Sequence, residues 1–218
     1  MRYVLYNPFS GKGTQAKADA ECYQALANVP AKTVSFAEIE DLRAFLSQLN
    51  AGDDIAVFGG DGTLNVVVNA LPEGWQNDVY YYPCGTGNDF ARHWGLTKDY
   101  KRSLDIFFAG KSQPIDVGCV TYWRNNIPHH RYFINSLGFG IEPMACRYAE
   151  SLKYYIGSHH VNYLFALIWS LTKYKNPHLR LDVNGKTVVE GKMFVTSIAN
   201  GSYVGGGMKL NPDADPCD

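Results

Sequence analysis

Two glycine-rich segments of this chain each contain an acidic residue and follow a short apolar run. Glycines allow the backbone to approach a bulky anion, and a helix that starts behind them presents unpaired N–H groups. A phosphate cradle does not itself need an acid, so Asp61 and Asp89 indicate a metal-bound nucleotide and therefore phosphoryl transfer. The segments are Gly59-Gly60-Asp61-Gly62-Thr63-Leu64-Asn65, after residues 55–58, and Pro83-Cys84-Gly85-Thr86-Gly87-Asn88-Asp89-Phe90-Ala91-Arg92, after residues 79–82.

Both segments also have a purely structural interpretation. Asp61 could cap the helix that follows its own loop, and Asn88 or Asp89 could do the same in the second segment. The glycine and acidic positions of the first loop exceed what a cap requires, which favours a functional site. An earlier segment, Asn7-Pro8-Phe9-Ser10-Gly11-Lys12-Gly13, lacks the spacing of a Walker P-loop, and its pattern alone predicts a strand-to-helix turn.

The elements around these segments alternate between strands and helices. Alternation of this kind builds a parallel sheet covered by helices, with the loops at the carboxyl ends of the strands forming one cleft. All three segments lie at such ends, so one site can collect them. Strands are predicted at residues 3–6, 32–36, 55–58 and 79–82, and helices at 14–27, 38–49, 66–71 and 100–109.

After residue 113 the pattern changes to strands joined by hairpins. An α/β nucleotide-binding domain is therefore predicted at residues 1–112, and an antiparallel, β-rich second domain, incomplete within this chain, at 113–218. Asn184-Gly185 is a strong two-residue hairpin signal. Strands are predicted at 114–120, 132–137, 179–183, 187–190 and 193–199, a loop at 124–128, and a mostly helical, aromatic stretch at 142–175 that breaks near Gly157.

In this order, the three segments resemble the signatures of the diacylglycerol kinase catalytic-domain family, which contains bacterial lipid kinases, sphingosine kinases and ceramide kinases. The resemblance runs from Tyr3 to Asp218. It implies a fold like that of NAD kinase and diacylglycerol kinase, a nucleotide between two domains, and Mg²⁺-dependent transfer of the γ-phosphate of ATP to a lipid hydroxyl. Asp61 and Asp89 are the implied catalytic residues. The implied nucleotide contacts are Asn7, Ser10, Gly11, Ser35, Gly59, Gly60, Asp61, Gly62, Thr63, Leu64, Asn65, Gly85, Thr86, Gly87 and Asn88.

The end of the chain and one helix position depart from the family pattern. Residues 205–218 resemble a segment that binds a structural Mg²⁺, with Asp215 as a ligand through its carbonyl and Asp218 as a second ligand. Asp116 matches an acid that is linked to that metal by water. The resemblance places the third ligand, and the general base for the lipid hydroxyl, past Asp218. On pattern alone, these acids form a solvated end. Val66 stands where the family commonly has Glu.

Composition places the chain among globular proteins, with 46% hydrophobic and 19% charged residues. Twenty Lys and Arg against 21 Asp and Glu create no field that attracts nucleic acid, and the five separated cysteines indicate neither a zinc site nor disulfides. Residues 161–171 are the most apolar stretch, far shorter than the roughly 20 residues that span a bilayer. We therefore expect a cytoplasmic enzyme without a transmembrane segment that reaches its lipid at the membrane surface. A homodimer is an open option, because the sequence does not define the oligomeric state.

Several alternatives stay open at this level. An NAD kinase-like enzyme shares the first glycine loop, and a nucleotide-binding module without catalysis would fit Val66 and the base that is not in the chain. The aromatic residues between 154 and 169, including Phe165 and Trp169, are interpreted as core or interdomain packing, with a lipid-facing surface as the alternative. No feature identifies the lipid. Because the loop of Asp61 is expected at the surface, Asp61→Ala should leave the fold intact.

Overall fold

The computed structural model describes residues 1–11, 14–26, 30–96, 112–156 and 161–218. The helix predicted at residues 100–109 and the break predicted at Gly157 lie outside the described residues. In the first part of the chain, four strands alternate with helices, as predicted. They are β1 (Arg2–Tyr6), α1 (Thr14–Leu26), β2 (Ala31–Ser35), α2 (Leu42–Ser47), β3 (Asp54–Gly59), α3 (Asp61–Ala70), β4 (Val79–Pro83) and α4 (Asp89–His93).

The four strands form one parallel sheet in the order β2-β1-β3-β4. After β1 the chain moves to one side of the sheet, and after β3 it moves to the other side. The direction of growth therefore reverses between β1 and β3. Ligands of open parallel sheets bind beside the carboxyl ends of the strands at such a switch point. The sheet topology therefore predicts a ligand site at the loops that follow β1 and β3.

Helices cover both faces of this sheet, which explains why β3 is a continuous apolar run without alternation. On one face, α1 packs through Ala20 and Tyr23. On the other face, Leu46 of α2, Leu64 and Val67 of α3, and Phe90 of α4 share a core cluster with the strands. The strand residues of the two clusters are Val4, Ala56, Phe58 and Tyr82 on the α1 side, and Leu5, Ile55, Val57 and Tyr81 on the other.

The second helix is shorter than predicted. In place of one helix over residues 38–49, the chain forms a 3-10 turn at Phe36–Glu38 and α2 only over Leu42–Ser47. Asp41 separates them, because its backbone is extended and its carboxylate accepts the Ala44 N–H at 3.0 Å. Asp is favoured at a helix N-cap over a helix interior, so the helix begins after Asp41, although the apolar periodicity predicts that it begins earlier.

An antiparallel hairpin of β5 (Gly118–Arg124) and β6 (Ile127–Phe133) follows. The loop predicted at 124–128 is wrong, since a two-residue turn of Asn125 and Asn126 joins the strands. Both have positive φ, 52° and 60°, as a type I′ turn requires and as Asn tolerates. Asn69 of α3 joins the hairpin to this helix, because its side-chain amide donates to the Tyr132 carbonyl and accepts the Tyr132 N–H, both at 2.9 Å.

Residues 136–199 form a second compact unit. Its strands β7 (Ser136–Gly140) and β10 (Val195–Ala199) pair antiparallel, and its helices α5 (Ile141–Ile156) and α6 (Val161–Lys173) pack against each other. Strands β8 (His178–Val183) and β9 (Lys186–Lys192) form the predicted hairpin. Its turn has φ of 51° at Asn184 and 76° at Gly185, which confirms the turn signal. The antiparallel, β-rich character of this part is confirmed.

The chain leaves the first unit after Asn135 and returns to it at Asn200, so Asn200–Asp218 belongs with the parallel sheet. The predicted division into domains 1–112 and 113–218 stays a prediction. The division into compact units places the β5–β6 hairpin and residues 200–218 in the first unit.

Candidate nucleotide site

Three loops of the first unit meet at the carboxyl edge of the parallel sheet. The first loop follows β1, the second follows β3 and the third follows β4. The loop after β1 carries Asn7 and Ser10, and both contact Thr63 behind β3. Asn7 Nδ2 donates to Thr63 Oγ1 at 2.8 Å, and Ser10 Oγ lies 3.3 Å from the same oxygen. Ser10 and Thr63 are buried. The Thr63 hydroxyl therefore joins the first predicted segment to the second.

The second and third loops touch through glycines. A Cβ added to Gly85 would lie 2.5 Å from the Cα of Gly60, closer than real Cβ atoms approach another backbone. A Cβ on Gly11, whose φ is +62°, would collide with the Cys84 carbonyl oxygen. The backbones can pack this closely because these positions carry no side chain.

Asp61 connects the second loop to the third. Its Oδ2 accepts the N–H of Asp89 and its Oδ1 accepts the N–H of Phe90, both at 3.0 Å. These are first-turn amides of α4, so Asp61 caps α4 from another loop. Helix α3 begins at Asp61 itself, earlier than predicted, and no described side chain caps it. The interpretation in which Asp61 caps its own helix is therefore wrong.

This bridge predicts that Asp61→Ala destabilises the protein, in contrast to the expectation from a surface loop. A hydrogen bond to a charged group contributes roughly 1.5–3 kcal/mol, so losing both should lower the free energy of unfolding by about 3–6 kcal/mol. Asp61→Asn keeps one acceptor and should lose less. Denaturant titration of the three proteins measures the order. Equal stability of Asp61→Ala and the wild type would show that the two bonds do not stabilise α4.

Asn88 closes the third loop on itself. Its backbone is left-handed, with φ 54° and ψ 47°, which Asn adopts more readily than most residues. Its Oδ1 accepts the Gly85 N–H at 2.9 Å, and its Nδ2 donates to the Gly85 carbonyl at 2.8 Å. Both polar ends of the side chain are thus used to shape the loop, and its contact with a nucleotide stays a prediction.

Asp89 is the buried acid of the site, with 7% of its surface exposed. Its Oδ2 accepts the Gly206 N–H at 2.8 Å, whereas its Oδ1 has no hydrogen-bond partner among the described residues. Burial raises the pKa of Asp89, and the charge of Asp61 adds to that rise, although hydrogen bonds from Gly206 and Gly207 act to lower the pKa. An unpaired oxygen of a buried carboxyl group is suited to hold a proton or a cation.

Sequence reasoning assigned residues 205–218 to a metal-binding segment and missed that the loop at residues 201–208 contacts Asp89. This loop supplies the Gly206 N–H to Asp89, and a Cβ on Gly207 would lie 3.1 Å from the Cζ of Arg92. Gly205, Gly206 and Gly207 all have positive φ, so the backbone follows a path that side chains would disfavour. Three consecutive glycines were the sequence signal for this loop.

Two predicted nucleotide contacts, Ser35 and Leu64, use their side chains for contacts within the protein. Ser35 ends β2, is buried, and accepts the Ala37 N–H on its Oγ at 3.2 Å. Leu64 packs its side chain in the core and donates its N–H to the Gly60 carbonyl at 3.0 Å. The structure therefore gives Leu64 an anchoring position in α3, and nucleotide contact by either residue stays a prediction.

The remaining predicted contacts are Thr86 and Gly87 of the third loop and Asn65 of α3. Gly87 approaches Asp61 closely, because a Cβ there would lie 3.2 Å from Asp61 Oδ2. Thr86 lies in the same loop, and Asn65 is half-buried on the second turn of α3. The structure brings Thr86 and Gly87 to the edge where the three loops meet, and nucleotide contacts by these two residues and by Asn65 stay predictions.

The first turn of α3 offers donors for an anion. The N–H groups of Asp61, Gly62 and Thr63 precede the first intrahelical bond, from the Leu64 N–H to the Gly60 carbonyl, and Gly60 at the N-cap has no side chain that could accept from them. A Cβ on Gly62 would meet no atom within 4 Å. Free N–H groups and open space at a helix start fit a phosphate group.

The acids of the site fit a hard divalent cation, which prefers oxygen ligands. The described residues contain no group of three or more His, Cys, Asp or Glu side chains that could hold a metal by themselves. Asp61 and Asp89 are the acids that would adjoin such a cation, which would neutralise charge on bound phosphate groups.

The segment predicted to bind a structural metal folds back toward the residues before β5. The Asp116 N–H donates to the Pro216 carbonyl at 2.7 Å, and Asp215 Oδ1 accepts the Cys217 N–H at 2.9 Å. Asp215 and Asp218 are exposed. The structure places Asp116 beside this segment, whereas metal binding by Asp215 and Asp218 stays a prediction.

Comparison with known families identifies the class of protein that this fold and site define. Residues 2–120 match the diacylglycerol kinase catalytic domain, and residues 135–218 match the YegS C-terminal NAD kinase beta sandwich-like domain. The first match spans more than half of the chain, so this protein belongs to the diacylglycerol kinase catalytic-domain family. The family predicted from the three segments is confirmed.

Individual relatives agree with this membership. A diacylglycerol kinase from Mycobacterium tuberculosis is 28% identical over 223 residues, which cover 99% of this chain and 69% of the relative. A probable lipid kinase, YegS-like, from Klebsiella pneumoniae is 33% identical over 171 residues, 77% of this chain and 53% of the relative. The class predicted from sequence, a lipid kinase, is confirmed, and the NAD kinase-like alternative is less supported.

Solved structures support the fold. The crystal structure of a diacylglycerol kinase from Bacillus anthracis matches with a TM-score of 0.70 at 22% identity, over 99% of this chain and 69% of that chain. Together with the second family match, this confirms the predicted fold class.

Proposed function

We propose that this protein transfers the γ-phosphate of ATP to the hydroxyl of a diacylglycerol-like lipid, with Mg²⁺ as cofactor. The observation that carries the proposal is the contact of three glycine loops at the switch point of the sheet, where Asp61 and Asp89 adjoin free N–H groups at the start of α3. Family membership supports a nucleotide and a divalent metal in general terms, and the choice of ATP and Mg²⁺ belongs to the proposal.

The chain's own residues would act mainly by positioning. The first N–H groups of α3 bind phosphate oxygens, and Asn7 and Ser10 fix the Thr63 hydroxyl beside them. Bound Mg²⁺ would neutralise charge on the phosphates. Both Asp61 oxygens accept α4 amides and hold the two loops together, so the Oδ1 of Asp89 is the oxygen best placed to face a cation or take a proton.

The proposal is tested with radiolabelled ATP and mixed micelles that contain diacylglycerol, sphingosine or phosphatidylglycerol, with NAD as a separate acceptor. We expect a phosphorylated lipid and no phosphorylated NAD. Product from NAD alone would move the assignment to the NAD kinase-like alternative. Nucleotide binding without transfer to any acceptor would indicate a binding module without catalysis.

Gly62→Ala should separate nucleotide binding from folding. The added methyl group meets no protein atom, and Ala is favoured over Gly in a helix by about 0.5–1 kcal/mol, so the free energy of unfolding should stay equal or rise. Because the methyl group enters the space that we assign to phosphate, we expect ATP affinity to fall roughly ten-fold, about 1.4 kcal/mol. Calorimetric titration and thermal unfolding measure the two effects.

Val66→Ala is the matched control for this substitution. Val66 lies further along α3 and is 52% exposed. It should leave ATP affinity unchanged. If Gly62→Ala also retained full ATP affinity, the phosphate would not lie against the first turn of α3.

A further inference from the structure

Helix α6 carries an exposed apolar surface in the second unit. Four large side chains on its outer surface are each more than half exposed, and they are Phe165 (64%), Ile168 (52%), Trp169 (55%) and Leu171 (52%). These four exposed apolar side chains lie close together in the sequence, within two turns of one helix. Phe165 and Trp169 are therefore not buried in a core, which corrects the prediction of core packing, whereas the prediction of interdomain packing stays a prediction.

The buried face of α6, opposite this surface, carries small side chains. Ala166 and Ser170 are fully buried, and the Ser170 hydroxyl is satisfied by the Ala166 carbonyl at 2.7 Å. A surface helix normally places polar residues away from its buried stripe. In α6 no charged residue occurs before Lys173, and the exposed side chains from Phe165 to Leu171 are all apolar.

Helix α6 is too short to span a bilayer. Thirteen residues at about 1.5 Å per residue make a helix of roughly 20 Å, whereas a hydrocarbon core is about 30 Å thick. No helix in the described part of the chain is long and apolar enough to cross a membrane. A lipid surface would therefore be met by the side of this helix.

Positive charge lies at the end of the same helix. Lys173 is in the last turn, with its Nζ 5.7 Å from the centre of the Trp169 ring, and Lys175 follows two residues later. Residues 136–199 contain seven Lys and Arg against four Asp and Glu, a net charge of +3, although the whole chain carries −1. Aromatic and aliphatic residues next to lysines are the composition of helices that lie in an anionic membrane interface.

We propose that the outer face of α6, which we call the α6 face and define as Phe165, Ile168, Trp169, Leu171 and Lys173, docks on a lipid surface with anionic headgroups. The proposal rests on the proposed function only in that a lipid kinase must meet its substrate at such a surface. Phe165 and Trp169 enter the headgroup layer, and Lys173 and Lys175 contact anionic headgroups.

The test is co-sedimentation of the whole chain with vesicles of phosphatidylcholine alone and of phosphatidylcholine with phosphatidylglycerol. We expect tighter binding to the anionic vesicles. Phe165→Gln and Trp169→Gln should each weaken that binding about ten-fold, because each removes apolar surface that would leave water. The matched control is Trp123→Gln, at an aromatic residue of β5 that is 68% exposed and should leave vesicle binding unchanged.

The lysines test the electrostatic part separately. Lys173→Gln and Lys175→Gln should each weaken binding to anionic vesicles about five-fold and leave the weaker binding to neutral vesicles unchanged. Added salt should reduce the difference between the two kinds of vesicle. Lysine variants that bind anionic vesicles as tightly as the wild type would contradict the role given to charge.

A second measurement uses a conservative variant that keeps an aromatic ring at position 169. Brominated lipids should quench tryptophan fluorescence of the wild type, and the conservative Trp169→Phe substitution should remove most of that quenching while binding persists. Quenching that survives in Trp169→Phe would show that another surface meets the lipid and would overturn the proposal.

Nucleotide titration of the same proteins separates this proposal from the proposed function. Normal ATP binding with vesicle binding that is insensitive to the α6 face would overturn the docking surface and leave the kinase assignment standing. Loss of self-association in Phe165→Gln or Trp169→Gln, with vesicle binding unchanged, would show that the face joins two copies of the chain and would also overturn it.

Discussion

Replacing Asp89 with Asn is expected to lower the rate of phosphoryl transfer by about 10²–10⁴-fold, the usual effect of losing an acid or base at a reacting group. Asp89 is the buried acid of the site, and its Oδ1 has no partner among the described residues. The amide of Asn can still accept the Gly206 N–H, but it can neither carry a negative charge toward a cation nor take a proton. The lost rate is measured as lipid phosphorylation at saturating ATP.

The same substitution should leave the protein equally stable or more stable at neutral pH. Because burial raises the pKa of Asp89 in the folded state, the wild type has its full stability below the unfolded-state pKa and loses stability as the pH rises through the folded-state pKa. The Asn variant has no such loss. The difference in Tm between variant and wild type should therefore grow as the pH rises through this window and then become constant.

Glu73→Gln is the control, since Glu73 is an exposed acid in the loop after α3. It should change neither the rate nor the pH dependence of Tm by a comparable amount. If Asp89→Asn retained near-normal turnover, Asp89 would have no part in the reaction. If its Tm fell at every pH, the hydrogen bond to Gly206 would need the carboxylate.

Gly85→Ala is expected to abolish measurable nucleotide binding, a loss of at least about 100-fold, roughly 2.7 kcal/mol. The new Cβ would lie 2.5 Å from the Gly60 Cα and 2.8 Å from Asn88 Oδ1. Since the first of these is a backbone atom, the two loops must separate, and both phosphate cradles change shape. Overpacking of this kind also costs about 1–3 kcal/mol of stability.

Gly60→Ala provides a graded comparison, because its Cβ would lie 3.0 Å from the Gly85 Cα. It should show the same losses in smaller degree. Titration with ATP and thermal unfolding of both variants give the comparison. Unchanged ATP affinity in a folded Gly85→Ala protein would show that the contact of the two loops is not needed for the nucleotide.

The parts of the site that could be predicted from sequence are those with a local signal. Glycines after an apolar strand indicate a loop at the carboxyl end of that strand, and parallel strands bring such ends together. The positions of Gly60 and Gly85 beside each other follow from that rule. The hairpin at Asn184-Gly185 was equally clear, because its turn type needs those residue types.

The parts that could not be predicted depend on contacts between distant residues. Asp61 looks like the cap of its own helix, and only the folded chain brings it to the amides of Asp89 and Phe90. Apolar periodicity gave no sign that Asp41 interrupts the second helix. The pattern of α6 could not tell which of its two apolar faces is buried, so the exposure of Phe165 and Trp169 required the structure.

The hydrogen bond between Asp89 and Gly206 joins residues that are 117 positions apart, with the whole second unit between them in sequence. During synthesis on the ribosome, the four strands of the parallel sheet are complete long before Gly206 exists. A growing chain can therefore display its phosphate cradle while the acid beside it still lacks its backbone donor. The order of translation thus delays the finished arrangement of Asp89 until the loop at residues 201–208, which belongs to the first unit, has been made after the whole of the second unit.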